Sequence, residues 1–257
     1  MKRKRNILAA IVSVLLVVIA LAPFVVIFIG SFFVNGSFSV EAIYEVYFAT
    51  PDYLLKFWKS AGLCAVILAG HIVVSVMGGY AFAKFQFRGK KVLFFFLILL
   101  MVLPLQVTLV PNYIVLDNMG LLDTYWALIL PALFAPLGTF VLTQCFKSVP
   151  DNILEAALLD GCGSASALVR IMIPMNKSGL VCTILLALLD SWNMVEQPVT
   201  YLKDASRYPI SVSLASTFST VPAVQYACCF LVLLLPLVLF LCFSEELVEG
   251  ITLGEVK

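Results

Sequence analysis

Residues 147–179 read KSVPDNILEAALLDGCGSASALVRIMIPMNKSG and separate two strongly apolar stretches of the chain. They form the one polar interval rich in small residues in the C-terminal half. Pro150 and Asp151 suit the start of a helix, in which Ser148 or Asp151 caps free backbone N–H groups. The segment therefore predicts a folded element that faces water.

Two short helices are predicted within this interval. Leu154, Leu158 and Ala157 would form a narrow apolar stripe on the first helix. Gly161 follows that helix, where a left-handed backbone is easiest for glycine. A second helix, capped by Ser164, should then run to Ile173, so that a helix, a glycine turn and a helix are displayed on one side of a membrane.

The composition is that of a polytopic membrane protein. Of 257 residues, 62% are hydrophobic and 12% are charged, and the mean hydropathy is +1.07. Soluble domains are nearer half apolar and a quarter charged. The net charge of +1 argues against nucleic-acid binding.

Six membrane spans are predicted from hydropathy, at roughly 7–31, 60–84, 91–111, 125–146, 178–198 and 223–243. An even number puts both termini on one side, and the basic N-terminus puts them in the cytoplasm. On this topology the inside loops and ends carry twelve Lys and Arg residues, and the outside segments carry four. Pro104 and Pro111 should bend or break the third span.

Span two carries small residues and the one histidine of the chain. Ser75, Gly79 and Ala83 recur at four-residue spacing, a ridge that permits close helix packing within this chain or against a partner. His71 is interpreted as a hydrogen-bonded packing residue without a functional role.

Polar residues in the fifth span are the candidates for a solute path. Asp190 and Glu196 are costly in hydrocarbon, so they should face a polar cavity, another subunit or the outer interface. Trp192 and Asn193 add an aromatic face and an amide, groups that suit sugar rings and hydroxyls. Asp190 and Asn193 serve equally well as groups that tie helices together, and both interpretations stay open.

Residues 155–174 of the loop follow a recognisable spacing. It reads Glu155-Ala156-Ala157, three residues, Gly161, nine residues, then Ile171-Met172-Ile173-Pro174. This resembles the EAA loop of the membrane subunits of ATP-binding-cassette importers, E-A-A-x3-G-x9-I-x-L-P, with isoleucine at position 173 in place of leucine. In that family the loop is a coupling helix seated in a groove of the ATPase. The resemblance implies ATPase-coupling roles for Glu155, Ala156, Ala157, Asp160, Gly161, Ile171 and Pro174.

The resemblance extends from about Ala61 to the C-terminus. The stretch QVTLVPNYIVLDNMGLLDTYWALILPAL, which begins at Gln106, looks like the corresponding spans of carbohydrate-importer permeases. Gln106 accordingly joins the candidate solute path. The ending GITLGEVK, residues 250–257, is similar to the G-L-T-x-G-A-V-K tail of the maltose-type second permease. That likeness implies a tail contact with the ATPase through Gly250, Gly254 and Lys257.

The resemblance implies an all-α membrane protein with six transmembrane helices, the type I importer permease core and a cytoplasmic EAA coupling helix. Three parts are predicted: residues 1–59, an N-terminal helix and outside segment; 60–243, the core with the loop at about 147–177; and 244–257, a cytoplasmic tail. The expected location is a bacterial plasma membrane, with both termini cytoplasmic.

The resemblance also implies partners. These are a second, homologous permease, two cytoplasmic ATPases, an extracytoplasmic sugar-binding protein and membrane lipid. The sequence has no GxxxxGK[ST] loop, so ATP must be bound and hydrolysed by the partner, and no cofactor is expected in this chain. The predicted function is a transport subunit of a sugar importer, not an enzyme.

Other functions remain as alternatives. An importer of the same class could carry amino acids, peptides or polyamines, and a channel or gradient-driven transporter would need no ATPase. An intramembrane enzyme could pair Asp190 with Glu196. Their six-residue separation places them about 240° apart on one helix, so they would not share a face.

Overall fold

The computed structural model describes the backbone of residues 2–34, 36–216 and 222–253, and the side chains of 11–33, 36–214 and 222–244. The elements are α1 (Lys2–Gly30), β1 (Phe33–Val34), β2 (Ser37–Phe38), α2 (Glu41–Tyr44), α3 (Pro51–Lys84), α4 (Lys90–Val102), α5 (Leu105–Asn118), α6 (Trp126–Leu133), α7 (Pro136–Ser148), α8 (Asp151–Leu159), α9 (Ser164–Ala167), α10 (Ile173–Met175), α11 (Lys177–Trp192), α12 (Glu196–Tyr201), α13 (Ile210–Ser216) and α14 (Pro222–Leu253). Two π-helical turns, Glu45–Ala49 and Leu168–Met172, and a 3-10 turn, Ala205–Arg207, complete the set.

Within the described residues, four helical segments are long and apolar enough to cross a membrane: Ile11–Gly30, Pro51–Lys84, Trp126–Ser148 and Pro222–Ser244. Two bent pairs also qualify, α4 with α5 at 109° and the segment Ser164–Met175 with α11 at 85°. Counting each pair as one span gives up to six, the predicted number, although Ser164–Met175 was predicted in the loop of residues 147–177 and not in the fifth span.

The sharp bend in the third span lies at Leu103 and Pro104. Leu103 has an extended backbone (φ −65°, ψ 132°), and Pro104 precedes the first turn of α5. Proline lacks the N–H that would continue the helical ladder, which explains the break. Pro111 lies inside α5, so the expectation of a break at both prolines is confirmed only for Pro104.

Three predicted boundaries were wrong. The third span was predicted to end at residue 111, but α5 runs to Asn118. α3 begins at Pro51 rather than at residue 60, and a two-residue hairpin, β1 paired antiparallel with β2, precedes it in the predicted outside segment. The fifth span, predicted over 178–198, ends as a helix at Trp192. Pro198 cannot donate to the carbonyl of Met194 four residues before, and the Ser211 hydroxyl donates to that carbonyl instead at 2.7 Å.

The chain divides into two compact units, residues 1–57 with 213–235, and residues 58–212 with 236–257. In the first unit, Gly30 lies against the ring of Tyr226, where a Cβ would approach Cδ2 at 2.5 Å. Phe28 makes an edge contact with Phe230, with ring centroids 5.6 Å apart. The division of the chain into parts at residues 59 and 243 stays a prediction.

Two apolar clusters lie in the described part of the second unit. One contains Leu63, Ile67, Leu116, Ala127, Leu128, Ile129, Met194, Tyr201 and Leu202. The other contains Val76, Tyr80, Leu142, Phe146, Val149, Leu154, Ala167 and Met172. Helix α3 contributes to both clusters, so it is the element that connects the two ends of this unit.

The small residues of α3 pack against α7 of the same chain. A Cβ on Gly79 would lie 2.9 Å from Leu142 Cβ and 3.2 Å from the Thr143 backbone nitrogen. Ser75 is fully buried, and Ala83 packs against the second cluster. Of the two uses left open for this ridge, the structure shows packing within the chain.

His71 is a packing residue, as predicted. Its Nδ1 lies 3.2 Å from the Ala132 carbonyl, which can only accept, so Nδ1 carries the proton. Nε2 lies within hydrogen-bond distance of the Ser75 hydroxyl, at 3.3 Å. In an unbroken helix the Ala132 carbonyl would accept from residue 136, which is proline. The Ala135 N–H donates to the same carbonyl at 3.3 Å, so His71 adds a second donor at the break between α6 and α7.

Candidate functional site

Helix α8 begins the loop, but its predicted caps are wrong. The Ser148 hydroxyl donates to the Cys145 carbonyl at 2.7 Å, on the α7 side. The Asp151 carboxylate accepts from Lys84 Nζ at 2.6 Å. The residue before α8 is Pro150, in extended conformation. Both candidate caps thus bond elsewhere.

The buried face of α8 differs from the prediction at one residue. Leu154 and Ala157 are buried, whereas Leu158 is 54% exposed. Ile153 is half-buried and lies on the same side of the helix as Ala157. The buried face therefore contains Ile153, Leu154 and Ala157, and Leu158 lies outside it. Leu159, at the end of α8, is 89% exposed, which is unusual for a leucine in a helix that buries one face.

Gly161 ends α8 as predicted. Its φ is +81°, in the left-handed region. The Gly161 N–H donates to the Leu158 carbonyl at 3.1 Å, and the Cys162 N–H donates to the Ala157 carbonyl at 2.9 Å. These two bonds are the Schellman pattern, which uses the last carbonyls of the helix and turns the chain sharply.

The second arm of the loop is longer than predicted. Gly163, not Ser164, holds the N-cap position of α9, and a π-helical turn connects α9 to α10. Helical structure passes Pro174 and ends at Met175, because the proline lies in the first turn of α10, where its missing N–H is not needed. Asn176 is buried at the 85° bend before α11, and its amide donates to the Met172 carbonyl at 2.8 Å.

The residues predicted to couple to an ATPase separate into two groups. Those that are exposed are Glu155, Ala156, Asp160, Gly161 and Pro174. Ala157 is buried against the chain's own core, and Ile171 is half-buried. The coupling role of these residues stays a prediction, and the exposed group is the part of it that a partner could touch.

Sequence reasoning missed Lys84, which meets the loop from the end of α3. Its side chain is 8% exposed, and Nζ donates to the Val149 carbonyl at 2.5 Å and to Asp151 Oδ1. The hydrogen bond from Lys84 is the main cause that lowers the pKa of the Asp151 carboxyl. No local pattern joins residues 67 positions apart, so the lysine was only counted as a charge of an inside loop.

The candidate solute-path residues include one pair brought together by the fold. Gln106 Nε2 donates to the Glu196 carboxylate at 2.9 and 3.2 Å, and both side chains are exposed. Asp190 and Asn193 are exposed too, and the Asn193 amide donates to the Leu189 carbonyl at 3.0 Å.

Trp192 differs from the other path candidates. It is 2% exposed, so in this conformation its ring face is not open to a solute. Asp190 lies on α11 and Glu196 opens α12, so the two carboxylates of the enzyme alternative do not belong to one continuous helix. Assignment of the path itself stays a prediction.

A polar clasp that the sequence did not reveal joins the loop before α6 to the loop after α12. Asp123, with φ +59°, accepts the N–H groups of Lys203 and Asp204 at 3.0 and 3.1 Å. Arg207 lies 3.2 Å from Asp123 Oδ2 and donates to the Asp123 carbonyl. The backbone N–H of Asp204, then that of Lys203, lowers the pKa of Asp123, and Arg207 adds to the effect.

The predicted tail contact falls at the end of the described chain. Gly250 lies in α14, in a part of the helix whose side chains are not described. Gly254 and Lys257 lie outside the described residues.

The sequence of the chain matches a known family of membrane proteins. A family model described as "Binding-protein-dependent transport system inner membrane component" matches residues 72–245, which include the whole loop. The chain belongs to this family. It is a multi-pass plasma-membrane component of an ATP-binding-cassette importer, and it works with an ATPase and a binding protein. Members of the family are transport components rather than enzymes.

Individual relatives agree with the family assignment. The chain is 27% identical to the arabinooligosaccharides transport system permease protein AraQ of Halalkalibacterium halodurans, over 80% of this chain and 75% of the relative. It is 31% identical to the sn-glycerol-3-phosphate transport system permease protein UgpE of Yersinia pestis, over 78% and 73%. Protein LplC of Bacillus subtilis is 28% identical, over 76% and 70%.

A solved structure shares the fold. It is a crystal structure of a bacterial ABC transporter involved in the import of the acidic polysaccharide alginate, with a TM-score of 0.78. The match covers 95% of this chain and 96% of that one at 20% identity. The predicted all-α fold with an importer permease core is therefore confirmed.

Proposed function

We propose that this chain is one of two different permease subunits of an ATP-driven sugar importer, in which α8 and its glycine turn dock on a cytoplasmic ATPase. One observation carries the coupling role. The outward surface of α8 presents Glu155, Ala156 and an almost fully exposed Leu159, while Leu154 and Ala157 fix the helix to the chain's own core. Because α8 is packed against the core, a displacement of its outer surface by a partner can be transmitted to the rest of the chain.

The names of the relatives support a carbohydrate as the solute of this chain. AraQ is named for arabinooligosaccharides, UgpE for a polyol phosphate, and the related structure for alginate, a polysaccharide. These are hydroxyl-rich solutes, which a path lined by amides and carboxylates can bind through hydrogen bonds. None of these names supports the amino-acid, peptide or polyamine alternatives.

The path would use the exposed polar residues of the second unit. The Gln106–Glu196 pair offers an amide and a carboxylate next to the break between α4 and α5. Asp190 and Asn193 offer further acceptors and donors along α11. Trp192 would contribute by holding α11 in place, because its ring is buried.

ATP would be bound by the partner ATPases, and this chain would need no cofactor. Closure of the ATPase pair moves α8, and the spans then rock as semi-rigid bodies, so that access to a central cavity changes from one side to the other. A second permease would complete the cavity, a binding protein would deliver the solute outside, and lipid would cover the apolar surface. The loop and both termini would lie in the cytoplasm.

The proposal is tested by isolating the tagged chain from native membranes in mild detergent and identifying what co-purifies. We expect a second permease and an ATPase, and stimulation of ATP hydrolysis by a binding protein loaded with an arabinooligosaccharide. A chain that is isolated alone, or whose vesicles transport without an ATPase, would contradict the proposal and favour a channel or gradient-driven transporter. A binding protein that recognises amino acids or polyamines would contradict only the assignment of a sugar as the solute.

A further inference from the structure

Lys84 lies at the joint between α7 and α8, although it belongs to α3. Its Nζ is the donor for both the Val149 carbonyl and the Asp151 carboxylate, and the side chain is 8% exposed. An ammonium group on a side chain with so little exposure needs hydrogen-bond acceptors in place of part of its water. The Val149 carbonyl and the Asp151 carboxylate are these acceptors.

The backbone alone does not fix the angle at this joint. Val149 is extended (φ −73°, ψ 123°) and Pro150 has no N–H, so the helical ladder of α7 stops before α8 starts. The Ile153 N–H, which a continuous helix would direct to Val149, bonds to the Pro150 carbonyl instead at 3.3 Å. The Val149 carbonyl is thereby left to Lys84.

Apolar packing brings the same three helices together. Val76 and Tyr80 of α3 belong to the cluster that contains Phe146 of α7 and Leu154 of α8. Tyr80 meets Phe146 edge to face, with ring centroids 6.3 Å apart. Apolar packing holds the helices close but has little directional preference, whereas charge-assisted hydrogen bonds fix an orientation.

We propose that Lys84 is a positioning residue that ties α8 to α3, so that a displacement of α8 is transmitted to a span that is not its neighbour in the chain. This inference rests on the proposed function, in which the ATPase moves α8. Helix α3 joins both apolar clusters of the unit, so movement at Lys84 reaches the cluster that contains Leu63 and Ile67 at the other end.

The experiment uses the complete transporter in lipid nanodiscs, in a Cys242→Ser background, since Cys242 is an exposed thiol. An environment-sensitive fluorophore is placed on Asn152→Cys to report on α8, or on Gly62→Cys to report on α3; both positions are exposed. Fluorescence is recorded before and after addition of a non-hydrolysable ATP analogue. Lys84 is changed to Met or to Arg, and Lys91→Met, at an exposed lysine close in the chain, is the matched control.

In the parent complex both probes should respond to the analogue. In Lys84→Met the α8 probe should still respond, while the response of the α3 probe falls by about tenfold, within the usual range for coupling between sites. Lys84→Arg should restore the α3 response, because guanidinium donors can reach both acceptors. Lys91→Met should leave both responses unchanged.

The outcomes separate the two proposals. A parent complex without an ATPase, or an α8 probe that ignores the analogue, contradicts the proposed function. An α3 probe that responds equally in the parent and in Lys84→Met overturns the inference alone, as does failure of Lys84→Arg to restore a lost response. If Lys84→Met does not assemble, Asp151→Asn, at a side chain 78% exposed, must weaken the α3 response. An unchanged response in that variant also overturns the inference.

Discussion

At the scale of single residues, tight contacts in the second unit depend on glycine. A Cβ on Gly138 would lie 2.4 Å from His71 Nε2 and 2.5 Å from Ser75 Oγ. Gly62 in α3 has nothing within 4 Å of its Cβ position. These two helical glycines therefore differ in the space around them.

We expect Gly138→Ala to destabilise the protein by about 1–3 kcal/mol, the usual cost of overpacking, because His71 and Ser75 must move and their hydrogen bonds weaken. Gly62→Ala should instead stabilise by about 0.5–1 kcal/mol, since alanine is the better helix former. Thermal unfolding of the purified chain in detergent measures both. Equal effects of the two changes would contradict the packing of α7 on α3.

The clasp around Asp123 makes a prediction for pH. Its folded pKa is lowered below the usual 3.8, so the ionised form stabilises the fold, fully above that value, and the stabilisation is lost as the pH falls through the folded pKa. Asp123→Asn keeps a residue that tolerates φ +59° but removes the charge. We expect this variant to have a lower Tm at neutral pH and a smaller further loss of Tm on acidification to about pH 3.

The control for this prediction is Asp117→Asn, at an exposed carboxylate near the end of α5. Its Tm should follow the parent protein over the whole pH range. If both variants behave alike, the acid sensitivity does not come from the clasp.

At the scale of elements, the loop depends on where each helix stops. Gly161 (φ +81°) ends α8 and Gly163 (φ −69°) precedes α9, and neither has an atom within 4 Å of its Cβ position. The two glycines differ in backbone conformation and not in available space. Only the first requires the left-handed region.

We expect Gly161→Asp to abolish recruitment of the ATPase while all spans remain inserted. A left-handed non-glycine residue costs about 1–2 kcal/mol, and a carboxylate opposes the negative end of the α8 dipole. Gly163→Asp adds the same charge at an N-cap position that favours aspartate, so recruitment should persist. Co-purification of the ATPase, normalised to membrane-inserted chain, measures both. Normal recruitment by Gly161→Asp would remove the docking assignment of the loop.

For the whole molecule, the large exposed apolar surface indicates that lipid or another subunit shields it from water. Large apolar side chains of α4, among them Val92, Phe95, Phe96 and Val102, are more than half exposed. A water-soluble chain rarely exposes such continuous apolar surface, so lipid or a second permease must shield it.

The proposed orientation is tested by labelling introduced cysteines in intact cells with a membrane-impermeant maleimide. Lys203→Cys should be labelled from outside, and Lys91→Cys only after the membrane is made permeable, because the basic residues favour the cytoplasmic side. The unsubstituted chain gives the background from its seven native cysteines. The reverse labelling pattern would place the loop of residues 147–177 outside and exclude coupling to a cytoplasmic ATPase.

Local sequence signals were sufficient to predict the membrane class, up to six spans, the break at Pro104 and the glycine turn at Gly161. Each follows from local physics, since hydropathy needs only a window of about 20 residues, and proline or left-handed glycine acts within one helical turn. The position of His71 as a packing residue was also predicted correctly. Its partners, Ala132 and Ser75, were not.

Which polar side chains meet depends on the tertiary fold. Lys84 with Asp151, Gln106 with Glu196, and Asp123 with Arg207 are pairs separated by 67, 90 and 84 residues. No periodic pattern encodes such contacts, because they depend on how helices cross. The same reason explains why the exposure of Leu158 and the burial of Trp192 were not predicted. Whether a residue beside an apolar stripe faces the core or the solvent is set by a rotation of some tens of degrees, and packing with neighbouring helices fixes that rotation.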